Sequence, residues 1–359
     1  MNPKAAWLTV NRRCNFKCLW CYAEGTNHSA DSDMRFSTAL RLINISLDVG
    51  IKDFIILGGE PTFWPHLYGT CDYLAKKEAE ATIVTNGWKF ADLKMAKKAK
   101  ETGAKINISV KAGNPNQYQQ VTKVNAYART LQAISNFAKL DYPASVSLVA
   151  SAVVADNLEE LVKVAMESGA SNIVVEFCAT TFDNGKPSQG YMLPPQEMAK
   201  KMVEKYDLLD KHSNGQIAFM QTLPFCLYPE GFLEDLIQKG HLLSGCHVFH
   251  RSGVIFTHDG GVLMCNCLHD AVLGKLDVDF NDTESFNQFW HREEVIKANE
   301  QLVCYPHRKC IECPQYDLCG GGCPLQWFVF NPELIQESRN VTRFVESADV
   351  NRHYANATA

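Results

Sequence analysis

WLTVNRRCNFKCLWCY, residues 7–22, joins a β-branched run, WLTV (7–10), to a loop carrying Cys14, Cys18 and Cys21 at CxxxCxxC spacing. Three thiols so close together read as a structural zinc knuckle, half of a disulfide framework, or the seat of a reactive cluster. The rest of the chain narrows the choice. Its 359 residues are 46% hydrophobic, yet no uninterrupted apolar run reaches the ~20 residues of a spanning helix. The first residues, MNPKAAWLTVNRRC, lack the basic, apolar and small-residue regions of a signal peptide. The expected location is therefore the cytoplasm, where a reducing poise turns 14 cysteines toward metal or redox chemistry rather than disulfides. A net charge of −5, spread in mixed stretches such as KKEAE and KMAKKAK, offers no basic face for nucleic acid, and no membrane partner is expected.

Outward from the opening stretch, short β-branched runs alternate with amphipathic segments. Strands are predicted at WLTV (7–10), FIIL (54–57), TIVT (82–85), INISV (106–110), VSLVAS (146–151) and IVVEF (173–177). Ser37 is the expected cap of a helix running to Gly50, Gly103 the stop of one begun near Ala91, and Asp156 the cap of one ending at Gly169. Strands that read as continuous apolar runs, each followed by a helix, imply a parallel sheet covered by helices. The expected fold is α/β, an open or partial (β/α)6 barrel, whose chemistry lies at the C-terminal strand ends. The barrel is placed at 1–200, a linker helix and strand at 201–222, a cysteine-rich, loop-rich unit at 223–335 and a polar tail at 336–359. With so many thiols and so little periodic pattern, the second unit needs bound metal as its staple.

A three-cysteine loop can bind three irons of a cubane cluster and leave the fourth iron open, whereas structural zinc wants four closed ligands. The nearest histidine for a zinc site is His28. Cys14, Cys18, Trp20 and Cys21, followed one strand later by Gly58, Glu60 and Pro61 around Gly59, resemble the radical S-adenosylmethionine superfamily. That resemblance implies a 4Fe-4S cluster on the three cysteines, its unique iron chelating the amino and carboxylate groups of S-adenosylmethionine. It also implies that the GGEP strand end contacts the amino group: carbonyls and a carboxylate accept from an ammonium, and glycines permit close approach. Thr85, Asn86 and Gly87 resemble the family's turn near the nucleoside, and Ser109 and Lys111 are candidates for the ribose and carboxylate of the cofactor. The family more often places an acidic residue near Lys111. Glu176 and Cys178 end the sixth strand and are the catalytic candidates, Cys178 having packing as its alternative. No general acid or base stands out among Glu176, His247, His250, His258 and His269.

Farther along, CIECPQYDLCGGGC supplies Cys310, Cys313, Cys319 and Cys323. With Cys246, Gly260 and Cys265 upstream, the order resembles the SPASM extension of radical enzymes, which binds auxiliary 4Fe-4S clusters. The resemblance implies a first auxiliary cluster on Cys246, Cys265 and Cys323, with Cys226 as fourth ligand, and a second on Cys310, Cys313 and Cys319. The resemblance implies a further closing cysteine downstream of the run, and none follows Cys323; Cys304 takes its place, with Cys267 or a non-cysteine ligand as the alternatives. A pair of zinc ribbons is the competing reading of these CxxC pairs. The implied activity is cleavage of S-adenosylmethionine to a 5′-deoxyadenosyl radical that modifies a ribosomally made peptide by crosslinking, residue oxidation, or backbone excision or rearrangement. The alternatives are a radical dehydrogenase or mutase on a small molecule, or an anaerobic maturase of protein side chains. Expected partners are the precursor peptide, whose leader is delivered by a separate small protein or bound directly by the barrel surface, because the first strand starts within ten residues of the N-terminus, and a flavodoxin- or ferredoxin-type reductant.

Overall fold

The computed structural model describes residues 2–22, 33–183, 186–188, 190–244, 246–303 and 305–343. His28, Cys304 and the tail from 344 onward lie outside them. All six predicted strands form: β1 (Ala5–Thr9), β2 (Asp53–Leu57), β3 (Glu80–Thr85), β4 (Lys105–Val110), β5 (Ser145–Ala150) and β6 (Ile173–Phe177). Each is parallel to the next, so their C-terminal ends share one rim. The crossovers contain α1 (Phe36–Asp48), α2 (Leu67–Lys76), α3 (Leu93–Glu101), α4 (Pro115–Thr122), α5 (Tyr127–Lys139) and α6 (Leu158–Glu167).

The sheet does not stop at six strands. After a short hairpin, β7 (Phe182–Asp183) with β8 (Lys186–Pro187), and the long α7 (Pro195–Ser213), strand β9 (Ile217–Gln221) pairs in parallel with β6. Beyond α8 (Phe232–Gln238), β10 (Leu242–Ser244) adds to β9. The chain then passes α9 (His247–His250) and lays β11 (Gly253–Phe256) parallel to β1 at the opposite edge, followed by β12 (Gly261–Leu263) and β13 (Val272–Lys275), both antiparallel additions. The result is one eleven-stranded sheet in which strands from the cysteine-rich half extend the barrel at both sides. That half also carries α10 (Thr283–Trp290), α11 (Glu293–Leu302) and α12 (Tyr316–Cys319). It is thus more regular than its composition implies. Phe286, Phe289 and Trp290, at helical spacing on α10, are buried with Phe280 against β11.

Helix ends differ from expectation in two places. Arg35, not Ser37, occupies the cap of α1, and its side chain makes no capping bond. Asp156 caps nothing; it accepts from Lys201 Nζ on α7 at 2.5 Å, while the cap position of α6 falls to Asn157. The α3 boundary is as expected, ending at Glu101 before Gly103, and Asp92 caps its start by accepting from the Lys94 amide.

The strands are also less uniformly apolar than predicted. In β4, Ile106, Ile108 and Val110 are buried toward the helices, while Lys105, Asn107 and Ser109 alternate onto the other face. Across the register, Asn107 Nδ2 donates to Ser145 Oγ at 3.0 Å, and the Ser109 and Ser147 hydroxyls lie 3.0 Å apart. Period-2 alternation carries this polar face onward to Lys111, and through the pairing of Val149 with Glu176 to Glu176 and Cys178. The sheet therefore has an apolar face that binds its helices and a mixed inner face, polar around Asn107, Ser109 and Ser147 and apolar at Trp7, Ile55 and Val174.

Candidate active site

The loop after β1 is held by backbone pairing as much as by side chains. Lys17 N donates to Thr122 O and Leu19 N to Val121 O, fixing the loop to the end of α4. Phe16 wedges edge-on between Trp88 and Tyr118, each 6.3 Å away between ring centres. On the other side the loop is sewn to the end of β2: Gly59 N donates to Asn11 O, Glu60 N to Arg13 O, and Asn11 Nδ2 to Glu60 O. Tyr22 donates its hydroxyl to Gly58 O at 3.1 Å. This closeness explains both glycines. A Cβ on Gly58 would stand 2.5 Å from Asn11 Oδ1, and one on Gly59 2.3 Å from Arg13 O.

Glu60 occupies the middle of this junction and is 1% exposed. Its Oε1 accepts from Thr62 N (3.1 Å), Thr62 Oγ1 (2.6 Å) and Thr85 Oγ1 (2.7 Å), and its Oε2 accepts from Asn86 N (2.8 Å). Burial raises its pKa, and these donors pull it back down. The carboxylate expected to meet an ammonium is thus engaged by the protein's own donors, tying the GGEP turn to Thr85-Asn86-Gly87. What it orders is the backbone of the strand end.

Cys14, Cys18 and Cys21 are half-buried at the rim. Cys14 Sγ accepts from Phe16 N at 3.3 Å and from Asn86 Nδ2 at 3.8 Å. Asn86 Nδ2 also donates to Asn15 Oδ1, and Asn86 Oδ1 accepts from Trp88 N. Burial pushes the Cys14 thiol up to about 12, and charge on Glu60, Cys21 and Cys18 pushes the same way. A protein that crowds thiols where their anions are disfavoured needs a positive group there, since coordination deprotonates a thiol outright. Among the described residues, no three Cys, His, Asp or Glu side chains close around one metal ion. A cubane, by contrast, spreads its ligands over separate irons. Among the described residues, Trp20 Nε1 and the Arg12 guanidinium nitrogens Nε and Nη1 are buried donors beside this loop with no hydrogen-bond partner. The donor set and the orphaned donors fit an anionic iron-sulfur cluster.

Sequence reading missed Asn11, Arg12, Arg13 and Tyr22, because adjacent arginines look like a solvated pair. Arg13 forks onto Asp33 and reaches Phe63 O. Arg12 is 6% exposed, its pKa lowered by burial and held up by charge on Tyr22, Cys21 and Asp259. It is a buried cation next to the cluster loop.

The remaining predicted residues ring the inner face. Ser109 pairs with Ser147, and Lys111, just past β4, lies close enough to Glu176 on β6, two strands along the sheet, to act on its charge. Glu176 is reached by solvent yet surrounded by protein, as befits a side chain projecting into an open barrel. Burial raises its pKa and Lys111 lowers it. A raised carboxyl binds its proton more tightly folded than unfolded, so this stability is present at low pH and lost as pH rises through the folded value. Glu176→Gln is therefore expected to gain urea stability over the parent as pH rises above the ordinary carboxyl range; a difference in midpoint that does not change with pH would contradict the placement. Cys178 lies with Phe177, Leu223, Gln326 and Cys323 around a cavity at the end of β6, between the barrel rim and the C-terminal cysteines. Cys71 is buried in the core on α2.

Among the described residues, the C-terminal cysteines lie near one another in two sets, with Cys304 outside the description. Cys246, Cys265, Cys267 and Cys323 stand together, and Cys267 N donates to Cys265 Sγ at 3.4 Å. Cys226 joins Cys310, Cys313 and Cys319 instead: Phe225 N donates to Cys319 Sγ at 3.3 Å.

Known proteins share this arrangement to different extents. Residues 8–167 match the family model described as the radical SAM superfamily. The GTP 3′,8-cyclase of Helicobacter pylori is 23% identical over 308 residues, covering 82% of this chain and 90% of that protein. Among solved structures, SuiB of Streptococcus suis bound to its precursor peptide SuiA superposes with a TM-score of 0.68 at 19% identity, over 92% of this chain and 74% of that one. Native anSMEcpe with bound AdoMet gives a TM-score of 0.67 at 17% identity, over 98% and 96%. Among the described residues, no helix is long and apolar enough to cross a membrane.

Proposed function

We propose, from the premise that residues 8–167 belong to the radical S-adenosylmethionine superfamily, that this chain is a radical enzyme acting on a peptide. When bound, the cluster supplies the electron that cleaves S-adenosylmethionine to methionine and a 5′-deoxyadenosyl radical, the hard chemistry that a cofactor carries for its protein. The protein's part is holding and placing. Cys14, Cys18 and Cys21 hold the cluster. Gly58 and Gly59, fixed by the caged Glu60, present backbone to the amino group of the cofactor. Asn86, Ser109 and Lys111 line the path of the nucleoside, and Glu176 faces the substrate from β6, two strands along the same sheet. Residues 223–335 act as the auxiliary-cluster unit, and a flavodoxin- or ferredoxin-type protein in the cytoplasm supplies electrons.

The observation that carries the peptide reading is the extent of the fold likeness to peptide-bound SuiB. It runs through 92% of this chain and so takes in the cysteine-rich half as well as the barrel. A second reading, chemistry on a nucleotide, is favoured by the sequence likeness to GTP 3′,8-cyclase. The two separate in one assay. Anaerobic enzyme with reductant and S-adenosylmethionine is given either the short peptides encoded beside its gene, with and without neighbouring small proteins, or GTP. A mass change on a peptide with GTP untouched is expected; consumption of GTP without peptide dependence would replace the peptide reading.

A further inference from the structure

Two adjacent arginines precede the three-cysteine loop, and the fold treats them differently. Arg13 forks onto the Asp33 carboxylate and donates to Phe63 O, so the protein itself meets its charge and its donors. Arg12 is buried, and among the described residues its Nε and Nη1 have no hydrogen-bond partner. Its backbone cannot move to relieve this. Asn11 O accepts from Gly59 N and Arg13 O from Glu60 N on either side of it, and the Arg12 carbonyl oxygen lies only 2.5 Å from where a Cβ on Gly59 would stand. A guanidinium does not give up its proton in a protein, and a buried charge without a partner is strongly destabilising. Arg12 therefore needs a counter-charge.

The acidic groups around it supply none that is free. Burial acts against the Arg12 charge, and the groups that act in its favour are Tyr22, Cys21 and Asp259. Asp259 is engaged elsewhere, accepting from Lys275 Nζ at 2.6 Å and from Thr257 Oγ1 at 2.6 Å. Tyr22 keeps its proton because it is buried, and donates it to Gly58 O at 3.1 Å. Cys21 remains, and it is a member of the three-cysteine set. Negative charge thus reaches Arg12 through the same thiols that hold the cluster.

We infer that Arg12 is the fixed counter-charge of the three-cysteine cluster, a buried cation unmatched in the protein alone that favours the cluster's reduced state. The inference rests on the proposed function, in which Cys14, Cys18 and Cys21 hold that cluster. Reduction adds one electron, supplied by the reductant, and so adds one negative charge; a cation held close by in a site shielded from water stabilises the more negative form more than the less negative one. Cluster potentials follow net charge and the donors around the sulfurs, so Arg12 raises the potential and makes the cluster easier to reduce. Arg12 neither gives nor takes a proton in this role. It acts on the reaction only through the cluster.

The test compares the parent with Arg12→Met, which keeps an apolar stem without charge, and Arg12→Lys, which keeps the charge. All are full-length protein handled anaerobically, before and after reconstitution with iron and sulfide. Redox titration followed by electron paramagnetic resonance reads the signal that the Cys14, Cys18 and Cys21 alanine variant lacks. Its midpoint is expected to fall to a more negative potential in Arg12→Met and to stay near the parent's in Arg12→Lys. Thermal melts give a second readout: reconstitution should raise the parent's melting temperature more than that of Arg12→Met, since the cation gains its partner only with the cluster. Equal potentials in parent and Arg12→Met, or a melting difference between them that reconstitution leaves unchanged, would make Arg12 a structural residue and overturn the inference. If Arg12→Met takes up no iron, Arg12→Lys decides, with uptake regained in support and uptake still lost against. A parent that itself takes up no iron and sulfide would overturn the proposed function beneath the inference.

Discussion

Replacing Cys14, Cys18 and Cys21 with alanine is expected to remove one cluster's iron and all 5′-deoxyadenosine formation while leaving the barrel folded. The size of the effect follows from the chemistry. Side chains can trim a barrier by a few kcal/mol each, but generating a primary radical depends on an electron from the cluster, so its loss abolishes the step rather than slowing it. The fold should tolerate the change because the loop is held mainly through backbone bonds to Thr122, Val121 and the β2 strand end, none of which involves a thiol. The check is anaerobic quantification of 5′-deoxyadenosine and iron, beside a circular dichroism melt. Residual 5′-deoxyadenosine would remove this loop from the reaction.

Glu60→Ala is expected to give the second-largest effect. It strips the partner from four donors, Thr62 N, Thr62 Oγ1, Thr85 Oγ1 and Asn86 N, in a site closed to water. Each buried donor left unpaired costs about 1–3 kcal/mol, so the change threatens a large part of a typical stability of about 5–15 kcal/mol. Glu60→Gln keeps the shape but turns one acceptor into a donor facing donors. It should fall between the two, with weakened S-adenosylmethionine binding in a folded protein. Equilibrium dialysis of S-adenosylmethionine and thermal melts on both variants check this. Normal binding in Glu60→Gln would mean that the carboxylate does not order the strand end.

Much of this arrangement is legible in the order of residues alone. β-branched runs with helices between them locate the six barrel strands to within two residues at each end, and parallel pairing then brings the cysteine loop, GGEP and Thr85-Asn86-Gly87 to one rim. The rest is missing from the sequence for physical reasons. β10 to β13 are only three or four residues long, too short to show a period, and they are ordered by the sheet edges they meet. The role of Glu60 depends on donors 25 and 26 residues away. Cysteine grouping likewise depends on which loops share a space: Cys226 reads as a companion of Cys246 by order along the chain, yet the fold seats its turn against Cys319. Arg12 escapes notice because nothing in a charged pair says which member is buried.

The central claim is that the open-sided cysteine loop at the barrel rim holds a redox-active cluster that cleaves S-adenosylmethionine. Its most direct test is anaerobic reconstitution with iron and sulfide, addition of S-adenosylmethionine and a strong reductant, and quantification of 5′-deoxyadenosine and methionine by mass spectrometry. Both products should accumulate together, in equal amounts and only with reductant present. Protein that instead holds zinc without acid-labile sulfide, and leaves S-adenosylmethionine intact, would contradict the account.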